Sequence, residues 1–129
     1  SVTVTEDRIL PDRDAEGKVT VSLERLSKLP TAFACNCDVT AYVLLNALKE
    51  NGIRVPEDVS VVGFDDYILA DLAVPSLTTY AIDVDHMAKV SAQQLIRRIQ
   101  KPEAEVRRIV VSGKLVIRES VQKHSGNTA

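Results

Sequence analysis

The run Thr31-Ala32-Phe33-Ala34-Cys35-Asn36-Cys37-Asp38, read together with Val59-Ser60-Val61-Val62-Gly63-Phe64-Asp65-Asp66, decides the fold. Each begins as a short, mostly apolar segment of the kind that forms a buried strand. Between them, residues from about Val39 to Asn51 place Val39, Val43, Leu44, Ala47 and Leu48 at helical spacing, which makes one apolar face. Asp38 stands where an N-cap carboxylate belongs, and Gly52 where a helix stops. Val55-Pro56-Glu57-Asp58 reads as a turn, because proline fixes its own φ and biases the residue before it away from helix. Strand, helix and strand joined by short links make a βαβ unit, so the two strands are expected to run parallel.

Working outward, Pro75 precedes a third extended run, Leu77 to Ile82. Asp83 is placed to cap a long helix from about Val84 to Gln100, with Met87, Val90, Leu95 and Ile99 on its apolar side and Lys101-Pro102 ending it. Ile109-Val110-Val111 and Leu115-Val116-Ile117 flank Ser112-Gly113-Lys114 as a pair of late strands. In the other direction, Lys18 to Leu23 alternates like a strand, while Val19, Leu23 and Leu26 also fit a helix ending near Pro30. The helix is the preferred reading, since a strand leading straight into Thr31–Cys35 needs a hairpin without turn residues. The stretch from Ser120 to Ala129 looks frayed.

The chain has 129 residues, length for one domain with a single core. Sixteen Lys and Arg stand against eighteen Asp and Glu, a formal charge of −2, which argues against a stand-alone nucleic-acid binder. No apolar run approaches the ~18 residues of a membrane span, so no membrane partner is expected. Cys35 and Cys37 are too few for a disulfide framework, and their spacing in an extended segment points them to opposite faces. With His86 and His124 distant and unpatterned, no metal site is expected, and the cysteines read as reduced structural thiols that fit a reducing cytoplasm. Val62-Gly63-Phe64-Asp65 has a single glycine, not a phosphate loop, and neither histidine lies in a nucleophile motif. Neither a cofactor nor catalysis is expected.

In an open parallel sheet, ligands bind beyond the carboxyl ends of the strands. That rule selects Asn36-Cys37-Asp38 and Asp65-Asp66, two carboxylate-bearing ends on neighbouring or near-neighbouring strands. Carboxylates accept hydrogen bonds from hydroxyls and amines and are not satisfied by phosphate, so a polyol or an amine suits them better than a nucleotide. Each aspartate is equally suited to capping a helix, and the two roles can coexist. Gly63 permits a turn or a close backbone approach. Tyr67-Ile68-Leu69-Ala70-Asp71-Leu72-Ala73-Val74-Pro75 is unusually apolar, which fits either a satellite core or a face buried by a partner chain.

Several blocks, in order, resemble the C-terminal subdomain of LacI/GalR-type transcriptional repressors. They are Pro30-Thr31-Ala32-Phe33-Ala34, Asp38-Val39-Thr40-Ala41, Leu45 to Gly52, Val55-Pro56-Glu57-Asp58-Val59-Ser60-Val61-Val62-Gly63-Phe64-Asp65-Asp66, Pro75-Ser76-Leu77-Thr78-Thr79, and Leu115-Val116-Ile117-Arg118-Glu119-Ser120. The match runs from about Leu29 to Val121, and residues 1 to 28 match only loosely.

The resemblance implies an α/β, periplasmic-binding-protein-like fold of type I, with a parallel-sheet subdomain flanked by helices. Residues 1–121 would form an incomplete C-terminal subdomain and residues 122–129 a flexible tail. The N-terminal subdomain and a helix-turn-helix for operator DNA would lie outside this chain. The first Asp of Gly-Phe-Asp-Asp, Asp65 here, is a sugar or effector contact in many members of the family. Where the family has Asn-Asp after the Pro-Thr-Ala strand, this chain has Cys37-Asp38, with Asn36 one residue earlier. Asp65, Cys37, Asp38 and Asn36 are therefore the candidate contacts for a sugar or related small molecule. The family's dimer pairing maps onto Tyr42 and onto Tyr67, Ile68, Leu69 and Leu72, so a homodimer is expected. Two other readings share parts of this pattern, an extracytoplasmic sugar-binding protein of a transporter and a small α/β enzyme. The Val-Pro-Glu-Asp and Arg-Glu-Ser blocks and the thiols favour the repressor.

Overall fold

A computed structural model describes residues 5–123. Its centre is a four-stranded sheet of β1 (Ala32–Ala34), β2 (Ser60–Asp65), β3 (Thr78–Ala81) and β4 (Lys114–Val116), in that order across the sheet. β1, β2 and β3 run parallel, and β4 pairs with β3 antiparallel. Helix α1 (Asp38–Glu50) links β1 to β2, the βαβ unit expected from the strand–helix–strand pattern. A one-turn helix α2 (Leu69–Leu72) follows β2, and the long helix α3 (Val84–Gln100) follows β3.

The core lies between α1 and one face of the sheet. Ala41, Leu44, Leu45 and Leu48, three or four residues apart along α1, are buried against Val59, Val61 and Leu77. The buried stripe is thus turned from the expected one: Val39 is 37% exposed, and Val43 and Ala47 are only half-buried. Short Ala41 faces the sheet, which lets the helix lie close while the leucines fill the flanks. Gly52, at φ +71°, ends α1, and the N–H of Ile53 returns to the Leu48 carbonyl at 2.9 Å. Asp83 caps α3 as expected, accepting from the His86 N–H at 2.9 Å.

Other expectations are corrected. In place of a helix ending near Pro30 there is a single turn at Leu23–Arg25, preceded by a hairpin in which Arg13 pairs with Val19. Asp14 drives that hairpin: its Oδ1 accepts from the N–H groups of Glu16 and Lys18, and its carbonyl from Gly17. Val21, Leu23 and Leu29 then pack individually against the core, an arrangement that leaves no stripe for a longer helix. Ile109-Val110-Val111 form no strand, because no neighbour supplies a ladder: Val110 is 76% exposed. The last strand sits one residue earlier than the expected Leu115–Ile117.

The stretch after Val116 does not begin to fray at Ser120. Ser120 is fully buried, where its Oγ donates to the Val61 carbonyl at 2.6 Å and accepts from the Thr78 N–H at 2.8 Å. Those bonds stitch β2 to β3 at their amino ends and explain why a serine closes the Arg-Glu-Ser block. In the expected tail 122–129, Gln122 bonds to Ser60 and Glu57, and residues 124–129, His124 among them, lie outside the described residues.

The opposite face of the sheet and helix α3 are uncovered. Ala32, Ala34 and Leu115 are exposed there, and α3 has no buried residue. Leu95 and Ile99, on its apolar side, are 62% and 71% exposed.

Candidate functional site

β1 and β2 are neighbours, so their carboxyl ends bring Asn36, Cys37 and Asp65 to one edge of the sheet. Asn36 and Asp65 are exposed and Cys37 is half-buried. Beneath them lies Asp38, fully buried in the first turn of α1. Its Oδ1 accepts from Thr79 Oγ1 of β3 at 2.6 Å, and its Oδ2 from the Tyr67 N–H at 2.7 Å. Asp38 is therefore not the N-cap. Cys37 occupies that position with no side-chain cap bond, because the Asp38 carboxylate is turned toward the strands rather than back onto its own helix. Its charge still favours the helix amino end.

Gly63 explains how a carboxylate comes so close to the sheet. A methyl group there would collide with the Asp38 carboxylate and come within 2.8 Å of Leu77 Cδ2. Close approach, rather than a turn, is what this glycine provides.

Asp65 and Asp66 have φ of +108° and +57°, two consecutive non-glycine residues in the left-handed half of the map. Such conformations cost of order 1–3 kcal/mol each and persist where the surroundings over-determine them. Here three groups do so. Asp38 accepts from Tyr67, Thr79 Oγ1 accepts from the Asp66 N–H at 3.4 Å, and Arg118 binds the Asp66 carboxylate at 2.8 Å. Arg118 also holds Asp71 of α2 at 2.7 Å and donates to the Leu77 carbonyl at 3.0 Å. The turn thus leaves the Asp65 carboxylate exposed while the backbone beneath it is tied to α1, β3 and the chain after β4.

At the end of β1, Asp12 reaches in from the hairpin. Its Oδ2 accepts from Asn36 Nδ2 at 2.8 Å and from Thr40 Oγ1 at 3.3 Å, and Thr40 Oγ1 lies 3.4 Å from the Cys37 sulfur. The bond from Asn36 holds the Asp12 carboxyl below the usual aspartate range. Burial pushes the Cys35 thiol up to about 12, so Cys35 is an inert packed thiol. Both cysteines are free, and no cluster of metal-ligating side chains occurs among the described residues.

The Tyr67–Pro75 segment divides between its two readings. Ala70 and Ala73 join the core, while Tyr67, Ile68 and Leu72 are 57%, 62% and 63% exposed. Leu69 and Tyr42 are half-buried, and α2 packs on α1. The local sequence pattern does not single out the roles of Asp12, Thr40, Thr79 and Arg118. The turn signature Asp14-Ala15-Glu16-Gly17 was the available signal for the hairpin. Thr79 and Arg118 act through contacts 41 and 52 residues away, which no local pattern carries.

Residues 2–121 match the family described as the periplasmic binding protein-like domain, and the chain belongs to it. It is 35% identical over 105 residues to the probable HTH-type transcriptional repressor ExuR of Bacillus subtilis, covering 79% of this chain and 32% of that protein. It is 36% identical over 123 residues to the HTH-type transcriptional repressor PurR of Vibrio parahaemolyticus, covering 93% and 37%. Among solved structures, the complex of the transcriptional regulator CelR with cellobiose superposes with a TM-score of 0.71 at 35% identity, over 76% of this chain and 30% of that one. The resemblance to LacI/GalR-type regulators and the α/β, periplasmic-binding-protein-like fold therefore hold. The chain spans about a third of the length of the curated relatives it matches.

Proposed function

We propose that this chain is the effector-sensing and dimerisation part of a LacI/GalR-like transcriptional regulator. It would bind a sugar or related small molecule in a cleft whose floor is the β1 and β2 ends. One observation carries the reading: Asp65 is held exposed by a doubly strained turn that a buried carboxylate, Asp38, fixes from below. Asp65, Asn36 and Cys37 would contact the effector. Asp38, with both oxygens already engaged, would position them.

An N-terminal subdomain, supplied by the remaining two-thirds of a protein as long as the relatives, would close the cleft, and the rest of the C-terminal subdomain would cover α3 and the bare sheet face. A helix-turn-helix in that remainder would bind operator DNA. Tyr42 and the exposed Tyr67, Ile68 and Leu72 would pair across a two-fold axis. The protein would act in the cytoplasm without catalysis or cofactor. Effector binding would shift the balance between two subdomain arrangements by its difference in affinity for them, worth ~1–3 kcal/mol in such systems.

The test is operator release by sugars in the intact regulator. Asp65→Ala is expected to weaken the response at least about tenfold, the loss of one charge-assisted hydrogen bond, with operator affinity retained. An unchanged response would remove Asp65 from the mechanism.

A further inference from the structure

We infer that Asp12 is a positioning residue for the effector cleft: through Asn36, Thr40 and Cys37 it sets the hydrogen-bond polarity of the β1 end and so selects an uncharged, hydroxyl-rich effector over an anionic one. The inference rests on the effector-cleft reading and deepens it.

Asp12 arrives from a hairpin 24 residues before Asn36, and the hairpin is built to hold it. The Asp12 carbonyl accepts from the Thr20 N–H at 3.0 Å, and Asp14 closes the turn. An ionised carboxylate can only accept. Thr40, 5% exposed, therefore spends its one hydroxyl proton on Asp12 Oδ2, and its oxygen is left to accept from Cys37. The Cys37 thiol proton then points at Thr40, and the sulfur turns its lone pairs outward. Asn36 likewise commits an Nδ2 hydrogen to Asp12, which aims its carbonyl Oδ1 away from that carboxylate.

The β1 end thus offers a sulfur and an amide oxygen as acceptors, beside the Asp65 carboxylate at the end of β2. Four carboxylates, Asp12, Asp38, Asp65 and Asp66, gather around this edge; among the described residues Arg118 alone is ion-paired to one of them, Asp66, and it is shared with Asp71, while Arg13 acts on Asp12 only through its charge. A ligand that donates hydroxyl hydrogens satisfies this wall. A carboxylated or phosphorylated sugar meets acceptors and like charge.

The proton order is readable on Cys37 without any ligand. Around Cys37 stand Asp12, bonded to the same Thr40 hydroxyl, the adjoining Asp38, and Cys35 two residues before it. In the intact protein carrying Cys35→Ser, the rate of Cys37 alkylation by iodoacetamide is measured at neutral pH. Asp12→Asn is expected to raise the rate near neutral pH by about threefold, the effect of deleting one nearby charge in a water-like medium. Thr40→Ser should keep the wild-type rate, and Thr40→Val should reduce the response to Asp12→Asn. Equal rates for wild type and Asp12→Asn, or a rise that Thr40→Val leaves untouched and that so reports an opened hairpin, would overturn the inference.

Titration calorimetry with ribose, cellobiose and galacturonate reads the selectivity. Wild type is expected to favour an uncharged sugar, and Asp12→Asn to narrow that preference. Preference for galacturonate overturns the inference alone. Failure to bind any of the three overturns the sugar reading with it. Loss of sugar binding in Asp65→Ala beside a Cys37 rate that Asp12→Asn leaves unmoved keeps the cleft and removes only the role of Asp12.

Discussion

Residues 31–81 and residues 84–113 both carry the apolar patterns of core-forming segments, yet they sit in opposite surroundings. In the first region α1 presses Ala41, Leu44, Leu45 and Leu48 against β2 and β3, and every one is buried. In the second, none of the seventeen residues of α3 is fully buried, and Val106, Ile109 and Val110 are exposed as well. A hydrophobic stripe states that a face is to be covered. It does not state by what. The βαβ half finds its cover within the next thirty residues, whereas the α3 half has none among the described residues.

Truncating one leucine from each half separates covered from bare surface most strongly. Leu48 is fully buried, so Leu48→Ala is expected to cost about 2–5 kcal/mol in the chain alone, by lost transfer energy and the cavity left behind. Leu95→Ala should change the stability of the same chain by less than about 0.5 kcal/mol, because its side chain already faces solvent. Chemical denaturation of both variants checks the pair. In the intact protein Leu95→Ala should become costly, and equal costs in the isolated chain would refute the contrast.

Gly63→Ala probes the tightest point of the covered half. The added methyl meets the Asp38 carboxylate and Leu77, neither of which can retreat without breaking the bonds to Thr79 and Tyr67 or opening the core. A loss of about 1–3 kcal/mol is expected, with the Asp65 turn loosened, as overpacking of a filled site gives. Alanine tolerated without loss would mean that the turn does not depend on that close approach.

The same comparison separates what was legible in the sequence from what was not. The βαβ unit, Gly52 as a stop and Asp83 as a cap follow from local chemistry and were readable. So were the strand ends, because the topology rule places them and the family blocks run through them. Asp38 was read as a cap because an aspartate before an apolar run usually is one. Its actual partners, Thr79 and Tyr67, come from distant parts of the chain. Val19, Leu23 and Leu26 fit a helix ending near Pro30 that does not form, while Asp14 and Gly17 carry the signal of the hairpin that does. Ile109-Val110-Val111 has strand composition but no ladder partner here, and a strand is a property of two segments.

Exposed apolar surface on α3 and an unpaired outer edge on β1 should make the 129-residue chain self-associate in isolation. Sedimentation velocity is expected to show mass rising with concentration. Leu95→Lys with Ile99→Lys should lower the association, and Leu48→Ala should not. A compact monomer at high concentration would show that the bare half is no association surface.

The smallest effect belongs to an exposed pair at the turn before β2. Asp58 accepts from the Arg54 backbone N–H at 2.9 Å and from its guanidinium at 2.9 and 2.6 Å, and these bonds hold its carboxyl at about 2. The folded value lies below the unfolded one of about 3.9. The contribution is therefore fully present above pH ~4 and is lost as pH falls through about 2. Because Arg54 is 69% exposed, salt weakens the pair. The melting temperature of wild type should exceed that of Asp58→Asn by a small, constant margin from neutral pH down to about 5, and the margin should shrink below pH ~4. A margin unchanged in acid would assign the stability to the turn geometry alone, since an asparagine keeps the shape but not the charge.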